Sequence, residues 1–202
     1  MENNETLDTY NRSANQLSEY FKGIGTRVKY VELALELAGK KDGSGSVLEL
    51  GCGDGRDAVE IIKRVRSYTG IDYSTGLVGL AKQLLPSADF RVIDMQNYDY
   101  PSNSYDVVFA FASILHIERS SLKELIEKVA RSLKSGGIFY ISTKYAYHYK
   151  KEWKQDDHGK RLFYFYNRHI IAELGKEFFE VATSEVEIIR DRPWVEMALR
   201  KR

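Results

Sequence analysis

The sequence is short of cysteine, of net charge and of long apolar runs. Its one thiol, Cys52, has no second thiol to pair with, so an internal disulfide is excluded. The formal net charge is +1, which argues against a strongly basic nucleic-acid binder but leaves a local basic patch open. No apolar run approaches the length that spans a bilayer. The N-terminus is polar and acidic, unlike a secretory signal. A cytoplasmic protein with no membrane partner is expected. His116, His148, His158 and His169 lack the compact spacing of a ligand set, so no metal is expected. Hydrophobic residues at 43% are enough for a globular core, and 202 residues fit one domain with a short lobe.

What is present is organised around Val47 to Ala58. Val47, Leu48 and Leu50 make a short apolar run that fits a buried parallel strand. Gly51, Gly53 and Gly55 then alternate with other residues, and glycine lets a ligand approach the backbone closely. From Arg56 the apolar spacing changes, and Ala58, Val59, Ile61, Ile62 and Val65 recur at helical intervals. Strand, glycine turn and helix together form the entry of a Rossmann-like fold, with free N–H groups at the helix start. Two ligands compete for this turn. Gly53 to Ala58 formally fits the dinucleotide fingerprint, but Arg56 and Asp57 then lie where a pyrophosphate must pass. Counted from Glu49, the turn instead reads acidic-x-Gly-x-Gly-x-Gly, which fits a ligand carrying an ammonium group.

In this second form the stretch resembles the class I S-adenosylmethionine (SAM) dependent methyltransferases of small bacterial type. The resemblance implies that Glu49, Gly51, Cys52, Gly53 and Gly55 hold the methionine part of the cofactor. A second strand, Tyr68–Asp72, ends in an acid at about the interval where Rossmann-type folds reach the ribose hydroxyls. Asp72 matches the family's ribose position and Tyr73 stands next to the adenosine. A third strand, Phe90–Met95, matches in its last two residues: Asp94 for the adenine amino group, and Met95 for a backbone N–H to the ring. The apolar run Tyr105–Phe111 reads as a central fourth strand, followed by Ala112 to Ile117 where the family faces the cofactor methyl and the substrate. Ala112 is therefore a cofactor candidate. His116 is the candidate base, its pKa class fitting proton removal near neutrality; the alternative is a histidine that fixes the turn by a backbone hydrogen bond. The Asn/Asp-Pro-Pro-Tyr signature of base N-methyltransferases is lacking.

The expected fold is α/β: a Rossmann-like, doubly wound, seven-stranded and mostly parallel sheet, with an antiparallel C-terminal strand and helices on both faces. Residues 1–45 read as an N-terminal helical lid, with residues 1–6 frayed, one helix from Leu7 to about Gly23 and another from Val28 to Ala38. Residues 46–202 form the methyltransferase domain. The amphipathic stretch Ser121–Lys134 reads as a helix stopped by Gly136-Gly137, before a fifth strand, Ile138–Thr143. Residues 144–166 break the rhythm with tyrosines, phenylalanines, lysines and arginines, and a turn at 156–159. They read either as a substrate-side insertion or as aromatics packed on the domain. Asn167 caps a short helix, and two strands joined near Asp191 close the chain. Candidate substrate contacts are Tyr10, Tyr20, Tyr145, Arg161, Tyr164 and Tyr166.

The implied activity is methyl transfer from SAM to an oxygen or nitrogen of a small molecule, releasing S-adenosylhomocysteine (SAH). Alternatives are an RNA or protein substrate, a non-catalytic SAM-binding protein, and an NAD-linked oxidoreductase. A monomer or homodimer fits each of these.

Overall fold

The computed structural model describes residues 2–202. Five strands are laid down in parallel: β1 (Ser46–Leu50), β2 (Ser67–Asp72), β3 (Asp89–Val92), β4 (Tyr105–Phe111) and β5 (Leu133–Lys144). A separate antiparallel hairpin follows, β6 (Lys150–Asp156) with β7 (Gly159–Phe165). The chain ends in β8 (Phe179–Ile189) and β9 (Arg192–Lys201), which return to the main sheet. Its order is β3-β2-β1-β4-β5-β9-β8, with β9 antiparallel to both neighbours.

Side-chain alternation sends successive strand residues to opposite faces, and both faces are covered. Val47, Val107, Phe109 and Tyr140 pack against α3 (Val28–Leu37), α4 (Ala58–Ile62) and α5 (Thr75–Leu84). Leu48, Val108, Phe139 and Ile141 pack on the other side against α6 (Arg119–Ser132) and α7 (Arg168–Gly175). These residues are 0–1% exposed, so each large one contributes about 1.5–3 kcal/mol by leaving water. The Asn167 cap is present, its Oδ1 accepting from the Ile170 N–H at 2.9 Å. Among the described residues no helix is long and apolar enough to cross a membrane, and none of the His, Cys, Asp and Glu groups forms a cluster that could hold a metal ion.

Several boundaries differ from the sequence reading. The single helix expected from Leu7 to about Gly23 is two, α1 (Glu2–Arg12) and α2 (Ala14–Lys22). The break at Ser13 lets its hydroxyl donate to the His158 carbonyl at 2.6 Å. Of the fraying expected over residues 1–6, Met1 lies outside the described residues. Thr6 is buried, its Oγ1 accepting from the Leu162 N–H at 3.0 Å. The third strand stops at Val92, so Asp94 and Met95 lie in the loop beyond it. Gly136-Gly137 does not stop a helix. The α6 helix ends at Ser132, and the two glycines sit in an irregular stretch of β5. A Cβ on Gly137 would lie 2.9 Å from the Lys134 carbonyl oxygen, so the bulge requires its small residue.

Candidate active site

The strand order reverses between β1 and β4, which opens a crevice beyond their C-terminal ends. The chain leaves β1 through Gly51 (φ 74°) and leaves β4 through Ala112 (φ 54°). These two exits touch: a Cβ on Gly51 would lie 2.4 Å from the Ser113 Cβ. Glycine is required at 51 both by φ and by this approach. Ala112 holds a left-handed conformation that an alanine adopts at some cost, an arrangement common where a backbone is aimed at a ligand. A cavity of about 970 Å³ fills the crevice.

Two buried carboxylates stand on the cavity wall. Glu49, one residue from the end of β1, accepts from the Tyr68 hydroxyl at 2.5 Å. Burial pushes its carboxyl up to about 8, with the negative charge of Asp57 adding to the shift. Asp72 ends β2 and accepts the Gly53 N–H at 3.0 Å and the Ser74 N–H at 2.9 Å. Burial lifts it to about 6, with the backbone donors of Ser74, Gly53 and Tyr73 opposing the rise. Each Asp72 oxygen keeps lone pairs for further donors. Cys52 lies between them, 5% exposed, its N–H donating to the Ile71 carbonyl at 3.0 Å. Burial, then the charges of Asp72 and Glu49, push its thiol up, which makes it unreactive as a nucleophile.

The N-terminal helices are pinned over this edge. Ser18 on α2 donates to Asp54 of the glycine loop at 2.6 Å. Asn11 on α1 accepts from Ser74 Oγ at 2.8 Å and from the Gly76 N–H at 3.2 Å. Arg27 reaches Asp57 with its side chain at 2.5 Å and its N–H at 2.9 Å, and Arg56 adds a third bond to Asp57 at 2.9 Å. Burial alone would raise Asp57, but the two guanidiniums hold it below the ordinary carboxylate range.

His116 lies in a 3-10 turn after β4. Its Nδ1 is 2.7 Å from the Leu162 carbonyl, which can only accept, so Nδ1 carries the proton. Its Nε2 is then the acceptor for the Tyr10 hydroxyl, 2.8 Å away. Burial pushes the imidazole down to about 3, so it is neutral across the physiological range. The turn-fixing hydrogen bond and a cavity position therefore hold together, with Tyr10 standing over the free nitrogen.

Of the residues singled out in the sequence, Glu49, Gly51, Cys52, Gly53, Asp72 and Tyr73 line the cavity. So do Asp94, Met95, Ala112, His116, Tyr10, Tyr20 and Arg161. Gly55 does not: its Cβ position faces Ala81 and Phe90 at 3.2 and 3.3 Å, so it admits close packing of α5 rather than a ligand. Tyr145, Tyr164 and Tyr166 also lie away from the cavity. Tyr164 and Tyr166 are buried in the core on the α6 side, with the Tyr166 hydroxyl donating to the Ile117 carbonyl at 2.5 Å. Tyr145 packs against the same core, its N–H bonded to the Pro193 carbonyl. The sequence reading missed Arg27, Asp57, Ser113 and Lys144 at this site. Asp57 was visible only as a charge that disfavoured a diphosphate, and nothing local pairs it with Arg27.

Polar atoms left without a partner gather here. Tyr73 Oη, Ser113 Oγ, Arg56 Nε, His158 Nδ1 and Arg161 Nε are buried with no hydrogen bond, and all five residues line the cavity. Each such atom costs about 1–3 kcal/mol unless something completes it, so their concentration fits a ligand-binding cavity.

A family model described as a methyltransferase domain matches residues 47–137, from β1 into β5. A Mycolicibacterium smegmatis protein named "Probable S-adenosylmethionine-dependent methyltransferase" is 33% identical over 116 residues, covering 57% of this chain and 42% of that one. The chain spans between 26 and 60% of the length of the curated relatives it matches. The Burkholderia thailandensis 1,6-didemethyltoxoflavin-N1-methyltransferase, solved with 1,6-didemethyltoxoflavin and SAH, superposes with a TM-score of 0.71 at 17% identity, covering 94% of this chain and 86% of that one. An amino pentose methyltransferase from Micromonospora echinaspora, solved with SAM, gives 0.69 at 14% identity, with 92 and 96% covered. The two structures share the fold, and the matched residues span the glycine loop and the switch point. Residues 47–137 therefore match a methyltransferase domain, in a chain with the fold of solved SAM-dependent methyltransferases.

Proposed function

We propose that this chain binds SAM and transfers its methyl group to an oxygen or nitrogen of a small molecule. The observation that carries the reading is the pair of buried carboxylates, Glu49 and Asp72, near the ends of adjacent strands on either side of the glycine loop. Such an edge repels a diphosphate but fits an ammonium group at Glu49 and a ribose diol at Asp72. Asp94 and Met95, on the loop after β3, fit the adenine. The unpartnered Tyr73 and Ser113 hydroxyls supply further donors. The cofactor, when bound, supplies the electrophilic methyl and the leaving group.

The chain's own part is to orient and to exclude water. In this reading α1 and α2 serve as the lid, tied to the glycine loop through Ser18 and to α5 through Asn11. Residues 144–166 form the substrate-side wall, to which Arg161 and Phe163 contribute. His116, pressed down to about 3 by burial and with Nε2 occupied by the Tyr10 hydroxyl, is too weak a base to take a proton at neutral pH and serves instead to hold Tyr10 in place. Relatives and neighbours named as methyltransferases of small molecules, carbon methyltransferases among them, support the small-molecule part of this reading.

Thermal unfolding with SAH, SAM, NAD or buffer tests the cofactor. A ligand at a hundred times its Kd adds about 2.7 kcal/mol, which for a domain of this size raises Tm by about 5–10 °C. The rise is expected with SAM and SAH and not with NAD. A rise with NAD alone would overturn the reading.

A further inference from the structure

The cavity has opposite electrical character at its two ends. Its cofactor end is built on Glu49 and Asp72, while the wall formed by the end of β5 and the β6–β7 hairpin is cationic. Lys144, the last residue of β5, places its ammonium 3.4 Å from the centroid of the Phe163 ring. The Arg161 guanidinium stands 5.6 Å from the same ring. Lys154 and Arg192 line the cavity as well. Against these four cations stand three carboxylates: Asp156, which takes one arm of Arg161, Asp157, which lines the cavity from the hairpin turn, and Glu152, 3.4 Å from Lys154. Lys144 and Arg192 have no carboxylate partner among the described residues. Arg161 is 8% exposed, and its Nε is buried without a hydrogen bond.

Four cations gathered at one wall, two of them without a carboxylate partner, repel one another, and an anion relieves the repulsion. Building on the methyltransferase reading, we propose that the methyl acceptor carries a carboxylate or phosphate group, received by Lys144 and Arg161 beside the Phe163 ring. The flat guanidinium can present two donors to such a group, and the ammonium acts as a point charge next to it. The environment of Lys144 agrees: burial, then Lys154, Arg161 and Arg192, press its ammonium down to about 7. An arriving anion would restore its proton.

The test is calorimetric titration of the whole protein with benzoate, phenyl phosphate and neutral benzamide, with and without SAH. Benzoate or phenyl phosphate should bind at least tenfold more tightly than benzamide. Lys144→Met should remove that preference and leave SAH affinity within about twofold, and Lys144→Arg should restore it. Equal binding of benzamide and both anions would overturn the proposal, as would an anion preference that survives in Lys144→Met. Anion binding that depends on Lys144 in a protein that fails to bind SAH would uphold the cationic site and defeat the cofactor reading instead.

Discussion

Glu49→Gln is expected to weaken SAM and SAH binding by about 30-fold or more, because truncating one charge of a buried, hydrogen-bonded pair typically costs about 2–5 kcal/mol. Folding should not suffer. The carboxyl of Glu49 is raised to about 8 chiefly by burial, so the folded, ligand-free protein holds a proton there at neutral pH. The unfolded chain releases that proton in the ordinary carboxylate range. The native state therefore binds more protons than the unfolded state between these limits, and this group's contribution to stability falls as pH rises toward about 8. Glutamine resembles the protonated form, keeps an acceptor for the Tyr68 hydroxyl and removes the penalty. The variant should be at least as stable as wild type at pH 8. Ligand binding carries the opposite sign. An ammonium partner favours the carboxylate, so binding expels the proton, and affinity should drop up to about tenfold per pH unit as pH falls below about 8. Titration calorimetry in buffers of different ionisation enthalpy reads the expelled proton directly. Unchanged affinity and an unchanged pH slope in Glu49→Gln would remove Glu49 from the binding site.

Asp57→Asn is expected to lower stability by about 3–5 kcal/mol, the effect of stripping one partner from a buried ion pair. Asp57 is 4% exposed and gathers three hydrogen bonds from Arg27 and Arg56. Asparagine keeps one oxygen but turns an amide donor toward a guanidinium and leaves two partly buried cations short of their counter-charge. In a domain of this size the loss corresponds to a fall in Tm of about 6–20 °C. Urea unfolding of the ligand-free protein measures it. Lys41→Ala serves as the control: its pair with Glu36 is over 60% exposed on both sides and should count for less than about 1 kcal/mol. A loss in Asp57→Asn no larger than in the control would show that the Arg27–Asp57–Arg56 cluster does not hold the N-terminal segment to the loop.

The parts of this molecule legible in its sequence are those whose cause is local. The strand, glycine turn and helix from Val47 to Ala58 lie in one stretch, and their spacing alone orders β1, the loop and α4. A continuous apolar run likewise gave β4, helical periodicity gave α6, and the turn near Asp191 gave the closing hairpin. The contacts that shape the far side of the cavity are not local. Tyr10 meets His116 and Ser13 meets the His158 carbonyl only because α1 lies against the β6–β7 hairpin, and no periodicity encodes that pairing. Tyr164 and Tyr166 were misjudged for a simpler reason. They were chosen by residue type, whereas a strand sorts its residues by parity. Leu162, Tyr164 and Tyr166 share the core-facing side, while Arg161 and Phe163 fall on the side of the cavity. Once residues 159–165 are read as a strand, Arg161 and Tyr164 cannot face the same space.

The solitary thiol gives the protein an internal clock. Cys52 sits on the cavity wall, packed with Tyr68 and Phe90, almost sealed from solvent and held in its thiol form. Alkylating reagents therefore meet it only during excursions that expose it, so the rate of its modification counts those excursions. Whatever occupies the cavity slows the count, and the rate read at a single sulfur becomes a measure of how often this site opens to the water outside.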